Sequence, residues 1–446
     1  MRYGALILLG GMVALLYGCG GATQNLASTG GQSAPHISGQ AFAQDLAAAP
    51  EATATEIDYR GWKALQLSNG LVTVIAVPAA GGRILSYQLG KLEYLYSDPS
   101  LNAKSPGTPD FGGDRMAPVS PDKAAMDGAA PGLNGKWIGS ITTARGILAE
   151  IQMTSPDDKG TGLRLTRTVR LYAGGTHLQV SDTLQNLGEK PVKWSVGSAT
   201  EALSVTGSKS PQGEVQAFVP AVSTTKHAEG FWSLGGAQDL ATLLKGSDKL
   251  VQVAYRGQAG QVAVRDAAGW LALTNAVEQN AFVRRFPAND LNEYPGDASA
   301  EVVATEYAAG KAGGLTLISR GPLQEVAPGK DLTFAQDWYA TMATGPITGA
   351  TEIAALSKPL TLTPQGTKLR LQGQLGVFAA GNLVITLLDA SGQPVGTSIT
   401  VPARPDQAVV VDQTLPGGTA ASVKLAMETD RGTPLGEIAS LSTAPQ

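Results

Sequence analysis

The sequence predicts an all-β fold, a large sandwich of packed sheets followed by a small immunoglobulin-like β-sandwich. Three observations carry the prediction. Charged residues are only 16% of the chain, while Gly is abundant at 55 and Val, Thr and Leu recur in short runs; this is the composition of many strands joined by tight turns. Turn signals such as Asn69-Gly70 and Asp389-Ala390-Ser391-Gly392 punctuate those runs. No long amphipathic helical period occurs, and residues 237–244 are the one short helix candidate. With 446 residues the chain is long enough for two or three domains with real cores.

Composition also excludes classes of function. A formal net charge of −4 leaves no basic footprint for nucleic acid. The single cysteine, Cys19, rules out a disulfide within the chain. With only three histidines beside it, no structural zinc is expected, and no other metal or cofactor.

The chain starts with Arg2 and an apolar run at residues 5–16, which has signal-peptide length and is short for a bilayer span. Leu16-Tyr17-Gly18-Cys19 then resembles the bacterial lipobox, departing from it at Tyr17, where a small or aliphatic residue is usual. The resemblance implies a lipoprotein signal peptide at 1–18 and lipidation of Cys19, which would hold the protein in a membrane of the bacterial cell envelope. Gly20 in place of Asp points to the outer membrane. An ordinary signal peptide or a short buried helix are the alternatives. Residues 19–54, rich in Gly, Ala, Ser, Thr and Gln, read as a flexible tether, with His36 solvated in it.

Strand patterns fill residues 55–342. The first hairpin, 62–67 and 71–77, turns at Ser68-Asn69-Gly70. Pro78 ends the second strand, and Gly81-Gly82 permit a turn that delivers Arg83 to the start of strand 84–89. That arginine is either a ligand clamp or a surface charge at a strand end. Residues 97–134 read as a long irregular loop, of a length usually functional or mobile. It holds a second Gly-Gly pair followed by charges, Gly112-Gly113-Asp114-Arg115. Strands resume at 137–143, 146–154, 162–173 and 177–185 and continue to 342, enough for two large antiparallel sheets.

In order along the chain, Gly81-Gly82-Arg83-Ile84, Tyr94-Leu95-Tyr96, Gly112-Gly113-Asp114-Arg115 with Pro118, Lys190-Pro191-Val192 with Trp194-Ser195, Tyr294-Pro295, Gly321-Pro322-Leu323 and Ala327-Pro328-Gly329 resemble the galactose-mutarotase-like supersandwich. They are similar in particular to an uncharacterised bacterial domain-of-unknown-function family of that fold. The resemblance runs from about Trp62 to Tyr339. It implies a sugar cleft worked by a His that protonates the ring oxygen and a Glu that takes the anomeric proton. Neither is found where it is expected. The His position falls on Ala199, and the strand expected to carry Glu, residues 315–318, has no carboxylate. His177 sits on the polar face of a strand, and His227 lies in a charged loop. No nucleophile elbow or phosphate loop occurs.

The resemblance therefore implies binding without catalytic residues. Its cleft-lining segments hold the candidate ligand-binding residues Arg83, Asp114, Arg115, Trp194, Glu201, Arg285 and Tyr294. Aromatic faces would take sugar C–H surfaces, and charged groups the hydroxyls. Read as residues alone, Trp194 is equally a core residue, and of Arg284 and Arg285 only one can point inward from a strand. Residues 343–358 read as a linker. Residues 359–446, with about seven short strands at regular spacing, read as the immunoglobulin-like sandwich. The expectation is a membrane-anchored envelope lipoprotein with a non-catalytic carbohydrate-binding domain. The alternatives are an aldose epimerase using non-standard residues and a purely structural envelope protein.

Overall fold

Alternation of buried and half-buried residues is cleanest in strands Leu163–Tyr172 and Leu178–Asn186, where every second side chain is buried. These are neighbours in a 10-stranded antiparallel sheet that continues through Asp331–Met342 and Asn280–Arg285. The computed structural model describes residues 50–105, 110–121, 131–202, 214–236, 240–245, 249–266, 268–288, 292–306 and 313–443. Residues 1–18, Cys19, His36 and the tether up to residue 49 lie outside the described residues. Ala52 already begins the first strand, Ala52–Tyr59. The helix expected at 237–244 is not formed by its described part, because Ala241–Leu243 pairs as an edge strand with Leu250–Ala254.

A second sheet has 12 strands. Its order runs from Phe231–Gly236 through Gly260–Val264, Ala300–Thr305, Gly314–Arg320, Gly197–Glu201, Asp114–Met116, Arg83–Leu89, Val72–Val77, Trp62–Ser68 and Ala52–Tyr59 to Arg145–Gly146, with Leu92–Glu93 paired to Arg83–Leu89 beside this path. The two sheets face each other across one core that includes Val74, Ile84 and Tyr87 from the larger sheet and Ile151, Val169, Phe282 and Trp338 from the other. The all-β class and the large sandwich followed by a small one are thus what the chain forms.

Asp114–Met116 departs from expectation. The sequence predicts loop here, yet these residues form a short strand inserted between Arg83–Leu89 and Gly197–Glu201. Bonds from Tyr96 N–H to the Glu201 carbonyl (2.8 Å) and from Gly113 N–H to the Tyr96 carbonyl (2.6 Å) tie the surrounding chain down.

The second sandwich has two four-stranded sheets around Leu371, Leu375, Leu383, Ile385, Val411 and Leu425. Its strand Ala354–Gln365 begins inside the stretch expected as linker. It packs on the outer face of the 10-stranded sheet through an apolar cluster that includes Trp270, Val283, Tyr339, Ala355 and Phe378. Among the described residues no helix is long and apolar enough to cross a membrane.

Candidate functional site

Two Gly-Gly turns build the site. Gly81 and Gly82 (φ 75° and 64°) precede Arg83, and Gly112 and Gly113 (φ 76° and 72°) precede Asp114-Arg115. These left-handed angles favour glycine. Space enforces the choice as well, since a Cβ on Gly113 would lie 2.2 Å from the Ile84 carbonyl oxygen. Ile84 pairs with Asp114 in antiparallel register, so Arg83 and Arg115 stand opposite each other on the outer face of the 12-stranded sheet. Like charges placed this way repel, and carboxylates must compensate.

Two do. Asp110 lies 3.0 Å from Arg83 Nη1. Glu201 comes from the next strand, whose Ala199 pairs with Arg115 and whose Glu201 N–H bonds to the Gly113 carbonyl at 2.9 Å. Asp110 and Glu201 are hydrogen-bonded to each other and divide one proton unequally. Burial, and then the Asp110 charge, push the Glu201 carboxyl up to about 7. Burial acts the same way on Asp110, but the Arg83 and Arg115 guanidiniums and the Gly112 N–H outweigh it and hold that carboxyl below its usual range. Below about pH 7 the pair is therefore one carboxylate and one carboxylic acid, an arrangement suited to binding hydroxyls or to moving a proton. Tyr96 is beside the pair. Burial raises its hydroxyl pKa, and so do the Asp98 and Glu201 charges.

Arg83 is only 3% exposed and spends its guanidinium on the Gly112 carbonyl (2.9 Å), Asp110 and Asn134 Oδ1 (3.4 Å). It shapes the floor of the site. Arg115 is half-buried and has no ion pair or side-chain hydrogen bond among the described residues.

Sheet alternation sends Asp114 the other way, into the core, where it is fully buried. There Asp114 meets Arg167 (2.8 Å), Arg284 (3.3 Å), Ser198 (2.9 Å) and Thr200 (2.6 Å). Arg167 also holds Asp182 with two bonds and donates to the Gly82 and Asp114 carbonyls, the peptides just before the two site arginines. The buried ions thus fasten the site from beneath.

The structure therefore brings Arg83, Arg115 and Glu201 together and leaves the other candidates apart. Trp194 lies half-buried on a two-stranded ribbon, Val192–Trp194 with Gln324–Val326, packed against the core. Arg285 points out from the opposite sheet and pairs with Glu352 at 3.3 Å. Tyr294 is buried under the Arg265 guanidinium and lines a separate cavity of about 360 Å³ with Val196, Gln324 and Phe334. Sequence reasoning missed Asp110, and nothing in its loop marks it. Tyr96 had a signal, as it belongs to the Tyr94-Leu95-Tyr96 segment.

Ala199 shares the face of Arg115 and Glu201, so no imidazole stands there. The strand Gly314–Arg320 has no carboxylate, but Glu201 sits directly opposite its Thr316. His177 stacks between Tyr172 (4.4 Å) and Tyr339 (5.0 Å) on the other sheet, with Nε2 2.7 Å from Asp337. His227 stacks on Trp232 at 3.6 Å. Among the described residues no group of His, Cys, Asp and Glu could hold a metal ion.

No family model matches the chain, and none of the curated proteins matches it significantly. Solved structures that overlap with it include a galactose mutarotase-like protein from Clostridium acetobutylicum, 11% identical, covering 66% of this chain and 99% of that one (TM-score 0.45). Another is a galactose mutarotase-like protein from Lactobacillus casei, 11% identical over 62% and 99% (TM-score 0.41). A TPR-domain containing protein from Parabacteroides distasonis is 13% identical over 65% of this chain and 49% of its own (TM-score 0.46). These overlaps say nothing about chemistry.

Proposed function

We propose that the chain is a membrane-anchored envelope lipoprotein whose large sandwich binds carbohydrate at the Arg83, Asp110, Arg115 and Glu201 cluster without turning it over. The observation that carries this reading is the cluster itself. An ionised carboxylate, a carboxylic acid and the Arg115 guanidinium offer acceptors and donors side by side over the buried Arg83, with Tyr96 beside the carboxyls. Neighbouring sugar hydroxyls need this mixture, and an aromatic face takes the apolar side of the ring. Lack of turnover is supported by the methyl group of Ala199 and by the stacking of His177 and His227 elsewhere. Anchoring is supported by the charged start, the apolar run and the lipobox-like Leu16-Tyr17-Gly18-Cys19.

The divided proton favours a second reading. In an aldose epimerase, Glu201 would give a proton to the ring oxygen and Asp110 would take one from the anomeric hydroxyl. Polarimetry on protein lacking residues 1–19 separates the two. Mutarotation of galactose and glucose at the spontaneous rate supports binding alone. Acceleration that Glu201→Gln abolishes moves the assignment to the enzyme. A thermal-shift screen of neutral and acidic saccharides at about millimolar concentration with no hit rejects both in favour of a structural role. Cys19→Ala should shift the full chain from the membrane fraction to the soluble one; unchanged fractionation refutes the lipid anchor.

A further inference from the structure

We propose that the ligand of this site is an acidic sugar, a hexuronate or an oligosaccharide ending in one, whose carboxylate is taken by the guanidinium of Arg115. The inference rests on the carbohydrate-binding reading and narrows it.

Arg115 stands out among the described arginines. Arg83, Arg167, Arg170, Arg284, Arg285 and Arg320 each have a carboxylate within ion-pair distance. Arg115 has none among the described residues, although it is half-buried and has charged side chains around it. Its nearest carboxylate neighbours are already engaged. Asp110 is bonded to Arg83, and Glu201 to Asp110. The Arg115 nitrogens have no protein partner among the described residues and stay open to water, so an incoming acceptor can take them without displacing an existing ion pair. A carboxylate matches its planar fork with two parallel bonds.

The charge of the site selects among anions. Around Arg115 stand Arg83, Asp110 and Glu201. With the proton on Glu201, two guanidiniums face one carboxylate, so one positive charge is unmatched. A monoanion neutralises it. A phosphate monoester, whose second pKa is about 6, is about half dianion at about pH 6, and that form leaves a surplus negative charge beside Asp110, so the phosphate binds more weakly as pH rises from about 5 to about 6. The protonated Glu201 then remains as a donor for a sugar hydroxyl or ring oxygen.

The test is calorimetric titration of the full chain in mild detergent with galacturonate, galactose and galactose 6-phosphate at about pH 6, where Glu201 keeps its proton. Galacturonate should bind about tenfold or more tighter than galactose and tighter than the phosphate. Arg115→Gln should erase the preference for galacturonate over galactose, and Arg115→Lys should restore part of it; thermal melts confirm that both variants fold. Equal affinities for galacturonate and galactose overturn the acidic-sugar inference while leaving carbohydrate binding intact. A preference for the phosphate, or one for galacturonate that survives Arg115→Gln, overturns it as well. No binding of any of the three, beside hits with other neutral sugars in the thermal-shift screen, overturns the inference alone; no binding by any saccharide overturns both.

Discussion

Glu201 shows how a single side chain records its surroundings. A carboxyl beside another carboxylate and partly out of water resists ionising, and here it holds its proton to about pH 7. The unfolded chain releases that proton in the ordinary carboxylate range. Between the two values the native state binds more protons than the unfolded one, so this group's contribution to stability falls as pH rises through the window. Above it, folding confines a charge next to Asp110. Glu201→Gln removes that charge and keeps the shape. At about pH 8 it should stabilise the fold by about 1–2 kcal/mol, after allowance for solvent screening at a half-buried site, and at about pH 4 it should change little. Urea denaturation of both proteins across the range measures this. Equal dependence of stability on pH in the two proteins would mean that Glu201 ionises like a solvated carboxyl.

At the scale of the element, the two Gly-Gly turns decide where the arginines stand. Gly113 is left-handed and has the Ile84 carbonyl against the place a side chain would fill. Gly90 is also left-handed (φ 60°), with open space around it. The pair separates backbone strain from close approach. Gly90→Ala should cost about 1 kcal/mol, the price of the dihedral angle alone. Gly113→Ala should cost at least about 2 kcal/mol more, because strand Asp114–Met116 must move from Ile84 to admit the methyl. Equal losses in melting temperature would show that the strand yields freely. The same elements show what the sequence could reveal. The turns and long strands were legible, since Leu163–Tyr172 alternates strictly and Gly-Gly before Arg is an unusual pairing. Asp114–Met116 was not, because three residues between Gly-Gly and Pro118 carry no period and pair only through neighbours remote in sequence. For the same reason Asp114 could be placed in a cleft segment but not on the correct face, which depends on a register that sequence spacing does not encode. Asp110 was invisible, an acidic residue in a loop whose meaning comes from Arg83 and Glu201 meeting it in space.

Across the whole molecule, the described residues all belong to one compact unit. A linker was expected at 343–358, yet Ala343, Ile347 and Ala355 are completely buried in the cluster shared by both sandwiches. Phe378 is the central contact. It stacks on Tyr339 at 4.3 Å, and Tyr339 in turn stacks on His177, so an aromatic column passes from the small sandwich into the 10-stranded sheet. Backbone bonds run alongside. The Thr176 N–H meets the Phe378 carbonyl at 2.7 Å, the Thr341 hydroxyl meets the Val377 carbonyl at 2.9 Å, and the Met342 N–H meets the Pro405 carbonyl at 2.8 Å. A buried apolar interface with satisfied polar groups makes two sandwiches unfold as one, whereas small polar interfaces let domains move independently. Phe378→Ala leaves a cavity at this junction and should cost about 3–4 kcal/mol. Because the loss falls on the interface and not on either core, calorimetry should resolve a single transition for the native chain and two for the variant, the first below the native melting temperature. A variant that still melts in one transition near the native temperature would mean that the backbone bonds alone couple the sandwiches, and that the aromatic column adds little to them.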